Sequence, residues 1–146
     1  MDAMQMAIDE ARRAGLRGEV PVGAVVIGPD GAVLAQAGND SAASRDASAH
    51  AEMLALRRAA RATGSSRLPD CDLVVTLEPC PMCAAAIGLF RVRRLVFGAY
   101  DPKGGAVDHG PRLYQTSFPH RPSEIIGGVR EAECGALLRD FFEQKR

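Results

Sequence analysis

The chain has 146 residues, 47% hydrophobic and 25% charged, with 18 basic residues balanced by 18 acidic ones. These values exclude collagen-like, low-complexity and coiled-coil chains and predict a single globular domain over 1–146. Zero net charge gives no electrostatic reason for or against a nucleic-acid partner. Residues 3–16 read as a helix, with Met4, Ala7, Ile8 and Ala11 on one face and charges within Met1–Arg13 that do not fit a signal peptide. Val20–Ile27 and Ala32–Gly38 read as two strands joined at Pro29-Asp30-Gly31, a β-hairpin. Asn39–Ser48 reads as a loop. Ala49–Thr63 returns to helix, with Met53, Leu54, Leu56 and Ala60 as its apolar positions. Asp72–Leu77 is a buried strand, Pro81–Phe90 a helix opened by proline, and Arg94–Ala99 another strand. Asp101–Pro122 is irregular, and a loop that long in a small domain points to function. Glu124–Ile126 is a short strand. Arg130–Gln144 is a final helix, with Ala132, Leu137, Leu138, Phe141 and Phe142 available for packing.

Strands alternating with helices predict a three-layer α/β/α sandwich around a mixed five-stranded sheet, the hairpin supplying an antiparallel edge. The longest apolar run, near Ala84–Phe90, is far short of the roughly 20 residues of a membrane span. No membrane partner and a cytoplasmic location are expected. Sixteen of the 18 basic residues are arginine. Arginine suits phosphate and base stacking, although GC-rich coding gives the same bias.

Three side chains have the character of metal ligands. His50 opens one predicted helix. Cys80 and Cys83 open another, and residues at i and i+3 share a helical face. A helix N-terminus stabilises thiolate, the metal-binding form of cysteine. One nitrogen and two sulfurs suit zinc, one ion per chain. Cys71 lies at the far end of a strand roughly 20 Å long, out of reach as a fourth ligand, and Cys134 reads as a small buried apolar residue. Three protein ligands leave a position for water, the catalytic arrangement. Glu52, in the first turn beside His50, is placed to move a proton between that water and a leaving nitrogen. From these residues alone, a zinc-stabilised binding module and a redox role for Cys80 and Cys83 stay open.

The joint pattern His50-Ala51-Glu52 and Pro79-Cys80-Pro81-Met82-Cys83 is the signature of zinc-dependent nucleobase deaminases. With Glu19-Val20-Pro21-Val22-Gly23-Ala24-Val25, Thr76-Leu77-Glu78 leading into the cysteines, Phe97-Gly98-Ala99 followed by Asp101, Lys103, Gly105 and Ala106, and Glu133-Cys134, the chain resembles the bacterial tRNA-specific adenosine deaminase family of the cytidine deaminase superfamily. That resemblance implies a cytidine-deaminase-like fold and hydrolysis of the wobble adenosine of a tRNA anticodon loop to inosine. It implies zinc on His50, Cys80 and Cys83, and Glu52 as proton shuttle. Asn39 would bind the base edge, Val22 would line the base pocket, and Asp101 would contact the ribose-phosphate. A homodimer is implied as well. Lys103 and Arg45 are candidate phosphate contacts. Arg91, Arg93, Arg94, His109 and His120 read as surface residues. Residues 107–123 do not match the family pattern, and the basic tail is reduced to Lys145-Arg146. The zinc site alone also admits a deaminase of a free nucleobase or nucleoside, of the guanine or cytosine type.

Overall fold

The structure, a computed structural model, describes residues 2–145; Met1 and Arg146 lie outside the described residues. The elements run α1 (Ala3–Leu16), β1 (Gly23–Ile27), β2 (Val33–Gly38), α2 (Ser41–Ser44), α3 (Ala51–Thr63), β3 (Asp72–Leu77), α4 (Pro81–Leu89), β4 (Arg94–Ala99), a 3-10 turn (Leu113–Gln115), β5 (Glu124–Ile126) and α5 (Glu131–Gln144). One mixed sheet is ordered β2-β1-β3-β4-β5. β1 is antiparallel to β2 and β3; β3, β4 and β5 are parallel. This is the expected sheet, with the expected antiparallel hairpin.

Alternation along the strands divides the core in two. Ala24, Val26, Leu73, Val75, Leu95 and Phe97 face α3 and α4, joined by Ala55, Leu56, Ala84 and Ile87. Val25, Val74 and Val96 face the other way, onto Met4, Ala7 and Ile8 of α1 and Cys134 of α5. Both faces of the sheet are covered, so the central strands are apolar throughout rather than alternating. Arg130 ties α5 to α1, donating to Asp2 and Gln5.

Several boundaries differ from the sequence reading. β1 begins at Gly23, not Val20. Pro21 has no N–H to give a ladder, and the Val22 N–H folds back to the Val20 carbonyl at 2.8 Å. The segment expected as a loop contains α2, a single turn held from outside: the Ala42 and Ala43 N–H groups donate to the buried Glu19 carboxylate at 3.1 and 3.0 Å. α3 begins at Ala51 with His50 as its N-cap. It buries Ala51, Glu52, Ala55, Leu56 and Ala59 rather than the expected Met53, Leu54 and Ala60. Small side chains let the helix lie close on the sheet, and Met53 and Leu54 pack only at the margin. On α5 only Cys134 is fully buried, Ala132 and Phe142 being exposed. This helix rests on one edge of the layer, against β4, β3 and α1, too narrow a contact to cover all its apolar positions.

The strand directions place one set of ends together. The start of β1 and the ends of β2, β3 and β4 share one edge, since Gly23 pairs with Gly38, Ala24 with Val75, and Leu77 with Ala99. The Gly23 N–H also donates to Thr76 Oγ1 at 3.1 Å. Gly23 is required there for space. A Cβ at this position would lie 1.9 Å from the Ala7 carbonyl oxygen and 2.6 Å from the Ala11 nitrogen, both backbone. Gly23→Ala is expected to force α1 off the sheet and cost about 1–3 kcal/mol or more; the urea midpoint reads this, and an unchanged midpoint would refute it. Glu19 supplies a second test. Its hydrogen bonds from Ala42 and Ala43 hold its pKa below the ordinary 4.5. A depressed carboxyl contributes stability above its unfolded pKa and loses it as pH falls through its folded one. The stability gap between the parent and Glu19→Gln should be full above about pH 4.5 and close below it in urea titrations.

Candidate active site

The cavity at this edge has a volume of about 290 Å³ and is lined by Val20, Val22, Asn39, Ser41, His50, Glu52, Leu77, Glu78, Cys80, Asp101 and Gly104. Its walls come from the segment before β1, the segments after β2, β3 and β4, and the start of α3, so most of it lies beyond the carboxyl ends of strands, the usual ligand position in open α/β sheets. The structure brings six of the seven site residues expected from sequence onto one cavity, with the seventh, Cys83, buried beneath Cys80 and His50. Cys80 caps α4 and Pro81 occupies its first turn. His50 caps α3.

Whether these side chains suit zinc is decided by their spacing. His50 Nδ1 lies 3.6 Å from Cys80 Sγ and 3.6 Å from Cys83 Sγ, and the three ligand atoms all fall within 4.8 Å of one another. Tetrahedral zinc, with bonds of about 2.0–2.1 Å to nitrogen and about 2.3 Å to sulfur, has nitrogen–sulfur edges of about 3.6 Å. The donor set fits. Among the described residues the cluster contains these three ligands and no fourth; Cys71 and Cys134 are buried elsewhere, their thiols pushed up chiefly by burial.

The electrostatics favour thiolate at Cys80. A hydrogen bond from Cys83 and one from His50 pull it down to about 4 against the opposing effect of burial. Cys83, the donor, is pushed up by that same bond and by burial. His50 is raised through its bond to Cys80. Glu52 is only 4% exposed. Burial is the main cause that pushes its carboxyl up to about 7, and the Cys80 charge adds to it. A group near that value both takes and gives a proton at neutral pH.

The remaining walls are pinned to the protein. Asn39 donates through Nδ2 to the Val20 carbonyl at 3.2 Å and accepts the Ala51 N–H through Oδ1 at 2.8 Å, so it fixes the start of α3 as well as lining the cavity. Asp101 folds its own loop, Oδ1 accepting from the Lys103 and Gly104 N–H groups at 3.2 and 2.9 Å. Lys103 lies on an adjoining hollow with Tyr100, Leu138 and Phe142. Arg45 ends α2 in the left-handed region, away from the cavity.

Sequence reasoning gave no role to Glu19 and Glu78. Both stand in the quoted motifs, but their partners are distant in the chain. Nor did it anticipate that His109, read as a surface residue, binds Glu78 through Nδ1 at 2.8 Å. Burial pushes Glu78 up, but hydrogen bonds from Asp101, His109, Asp108 and Val107 outweigh it, and the net shift is downward. Arg93 and Arg94 pair with Asp72 at the opposite edge of the sheet.

Residues 1–99 match the family described as cytidine and deoxycytidylate deaminase zinc-binding region. The chain is 50% identical to the tRNA-specific adenosine deaminase of Agrobacterium fabrum over 143 residues, 98% of this chain and 93% of that one. A solved structure from work on A-to-I editing by tRNA deaminases at the wobble position of transfer RNA superposes with a TM-score of 0.90 and 48% identity, covering 93% of this chain and 98% of that one. A guanine deaminase from Nitrosomonas europaea superposes with a TM-score of 0.77 and 25% identity, covering 95% of this chain and 82% of that one. The ligand set, the sheet and the near full-length identity lead to one conclusion: the chain belongs to the tRNA-specific adenosine deaminases, zinc-dependent hydrolases of the cytidine deaminase fold.

Proposed function

We propose that this enzyme hydrolyses the 6-amino group of the wobble adenosine in a tRNA anticodon loop, converting that residue to inosine and releasing ammonia. The observation that best supports this is Glu52, buried on the cavity that His50 and Cys80 also line, with Cys83 beneath them, in a chain half identical to a tRNA-specific adenosine deaminase. His50, Cys80 and Cys83 would hold one zinc. Bound there, the metal supplies Lewis acidity that lowers the pKa of water toward 7. Glu52 takes a proton from the attacking water and returns it to the leaving nitrogen. The water oxygen ends on C6, and the 6-amino group departs as ammonia. Val22 lines the base. Asn39, held at both ends of its amide, offers its second Nδ2 hydrogen to the base edge. Asp101 faces the ribose-phosphate, Oδ2 accepting from a ribose hydroxyl. A loop nucleotide is already unpaired, so drawing it into the cavity costs little unstacking.

The working assembly is a homodimer in the cytoplasm. The dimer is supported by an apolar face on α4, where Met82 and Leu89 are 37% and 58% exposed and two helical turns apart. No helix among the described residues is long and apolar enough to cross a membrane.

Incubation of the zinc-loaded protein with tRNA bearing adenosine at the wobble position, followed by digestion and quantification of inosine, tests the reaction. The parent should form inosine from tRNA and not from free adenosine. Glu52→Ala should keep one zinc per chain and lose roughly 10²–10⁴-fold in rate. His50→Ala should lose the zinc itself. Equal deamination of free adenosine or guanine would overturn the tRNA reading. Sedimentation velocity should give a dimer for the parent and a monomer for Leu89→Glu.

A further inference from the structure

Residues 101–109 form a cavity wall that belongs to no helix or strand, and they are folded around one side chain. Glu78 stands between β3 and Cys80, its side chain fully sealed from solvent. Oε1 accepts the Asp101 N–H at 3.0 Å and His109 Nδ1 at 2.8 Å. Oε2 accepts the N–H groups of Val107, Asp108 and His109 at 3.1, 2.9 and 3.0 Å. A Cβ on Gly105 would stand 2.6 Å from both the Glu78 carboxyl group and the Asp101 carbonyl oxygen, so the wall closes on this carboxylate without spare room. Asp101 is thereby almost used up. Its N–H goes to Glu78, its carbonyl accepts from Gly105, and its Oδ1 accepts from Lys103 and Gly104. Among the described residues, Oδ2 is its one polar atom without a hydrogen-bond partner.

We propose that Glu78 is a positioning residue for the deamination: acting through Asp101, it sets the wall that receives the ribose of the reacting nucleotide, without itself touching substrate. The inference rests on the wobble-adenosine reading. A glutamine cannot replace this carboxylate, because its NH₂ group would face N–H donors. The wall would shift rather than unfold. Ala106, Val107 and Tyr114 remain buried in the core, and the Tyr114 hydroxyl donates to the Ala84 carbonyl at 2.7 Å.

Steady-state kinetics on tRNA with wobble adenosine separates positioning from mere support, because loss of a binding wall raises KM with little change in kcat. Glu78→Gln should raise KM about tenfold, the equivalent of about 1.4 kcal/mol, with one zinc per chain retained. His109→Ala, which spares the four N–H contacts, should move KM the same way by less. Asp101→Ala should raise KM, and adding Glu78→Gln to it should change little more, the non-additivity expected of two residues acting as a unit. Loss of zinc or of kcat in Glu78→Gln with KM unchanged would overturn the proposal, as would additive effects in the double variant. Should Glu78→Gln fail to fold, Gly105→Ala presses on the same carboxylate, and His109→Ala and Gly105→Ala then decide the case by the same KM criterion. Absence of inosine with the parent would refute the substrate reading instead; inosine with the parent and an unmoved KM in the variants would refute this one.

Discussion

Two helices have to begin at the same point in space. His50 and Cys80 are 30 residues apart, yet Nδ1 and Sγ stand 3.6 Å apart, and a metal site tolerates errors of only about 0.2 Å. The pairing of β1 with β3 sets this distance. Cys80 follows β3 directly, and α3, which carries His50, packs on β1 and β2. A register slip of one residue would displace one helix start from the other by about 3.4 Å, nearly the whole nitrogen–sulfur edge. It would also turn every core side chain of the slipped strand to the wrong face. The apolar alternation that builds the core therefore also builds the metal site.

Around that centre lie three buried carboxylates that behave differently, and the number of donors aimed at each explains why. Removing a carboxylate from water is costly unless hydrogen bonds replace the lost solvation. Glu78 receives four N–H groups and an imidazole, and Glu19 receives the N–H groups of Ala42 and Ala43. Both stay ionised below the ordinary range, and both are fixed. Glu52 has no comparable set of donors, and burial lifts it to about 7. The group without satisfying partners is the one available for proton transfer. The satisfied pair anchors the opposite walls of the cavity, Glu19 behind Ser41 and Glu78 behind Asp101.

What could be read in the sequence was what acts over short distances. Cys80 and Cys83 share a face because of helical spacing, Pro81 marks the first turn, and His50 with Glu52 lies at a helix start; each of these needs only its neighbours. The succession of helices and strands along the chain followed from apolar runs and turn residues. The roles of Glu19 and Glu78 were not legible, because the chain positions they bind lie 23 to 31 residues away and a backbone N–H carries no sequence signature. The buried face of α3 was misjudged for a related reason. Large apolar residues mark burial only where space allows them, and here alanines face the sheet while Met53 and Leu54 sit at its margin.

On the proposed reading, one histidine, two cysteines and a glutamate define what the centre can do to an amino group, and nothing in them would select the molecule that carries it. Selection would then fall to the walls: Val20 and Val22 before β1, Asn39 and Ser41 after β2, and Asp101 and Gly104 after β4. Asn39 is clamped between Val20 and Ala51, and Asp101 between Glu78 and its own loop, so each presents few free polar atoms in a fixed direction. A site whose polar atoms are already committed cannot readily reorient to satisfy a different ligand, and a buried donor or acceptor left unmatched costs about 1–3 kcal/mol. Discrimination between substrates of one zinc chemistry would then rest on how rigidly these loops are held, and in this chain the carboxylates of Glu19 and Glu78 hold them.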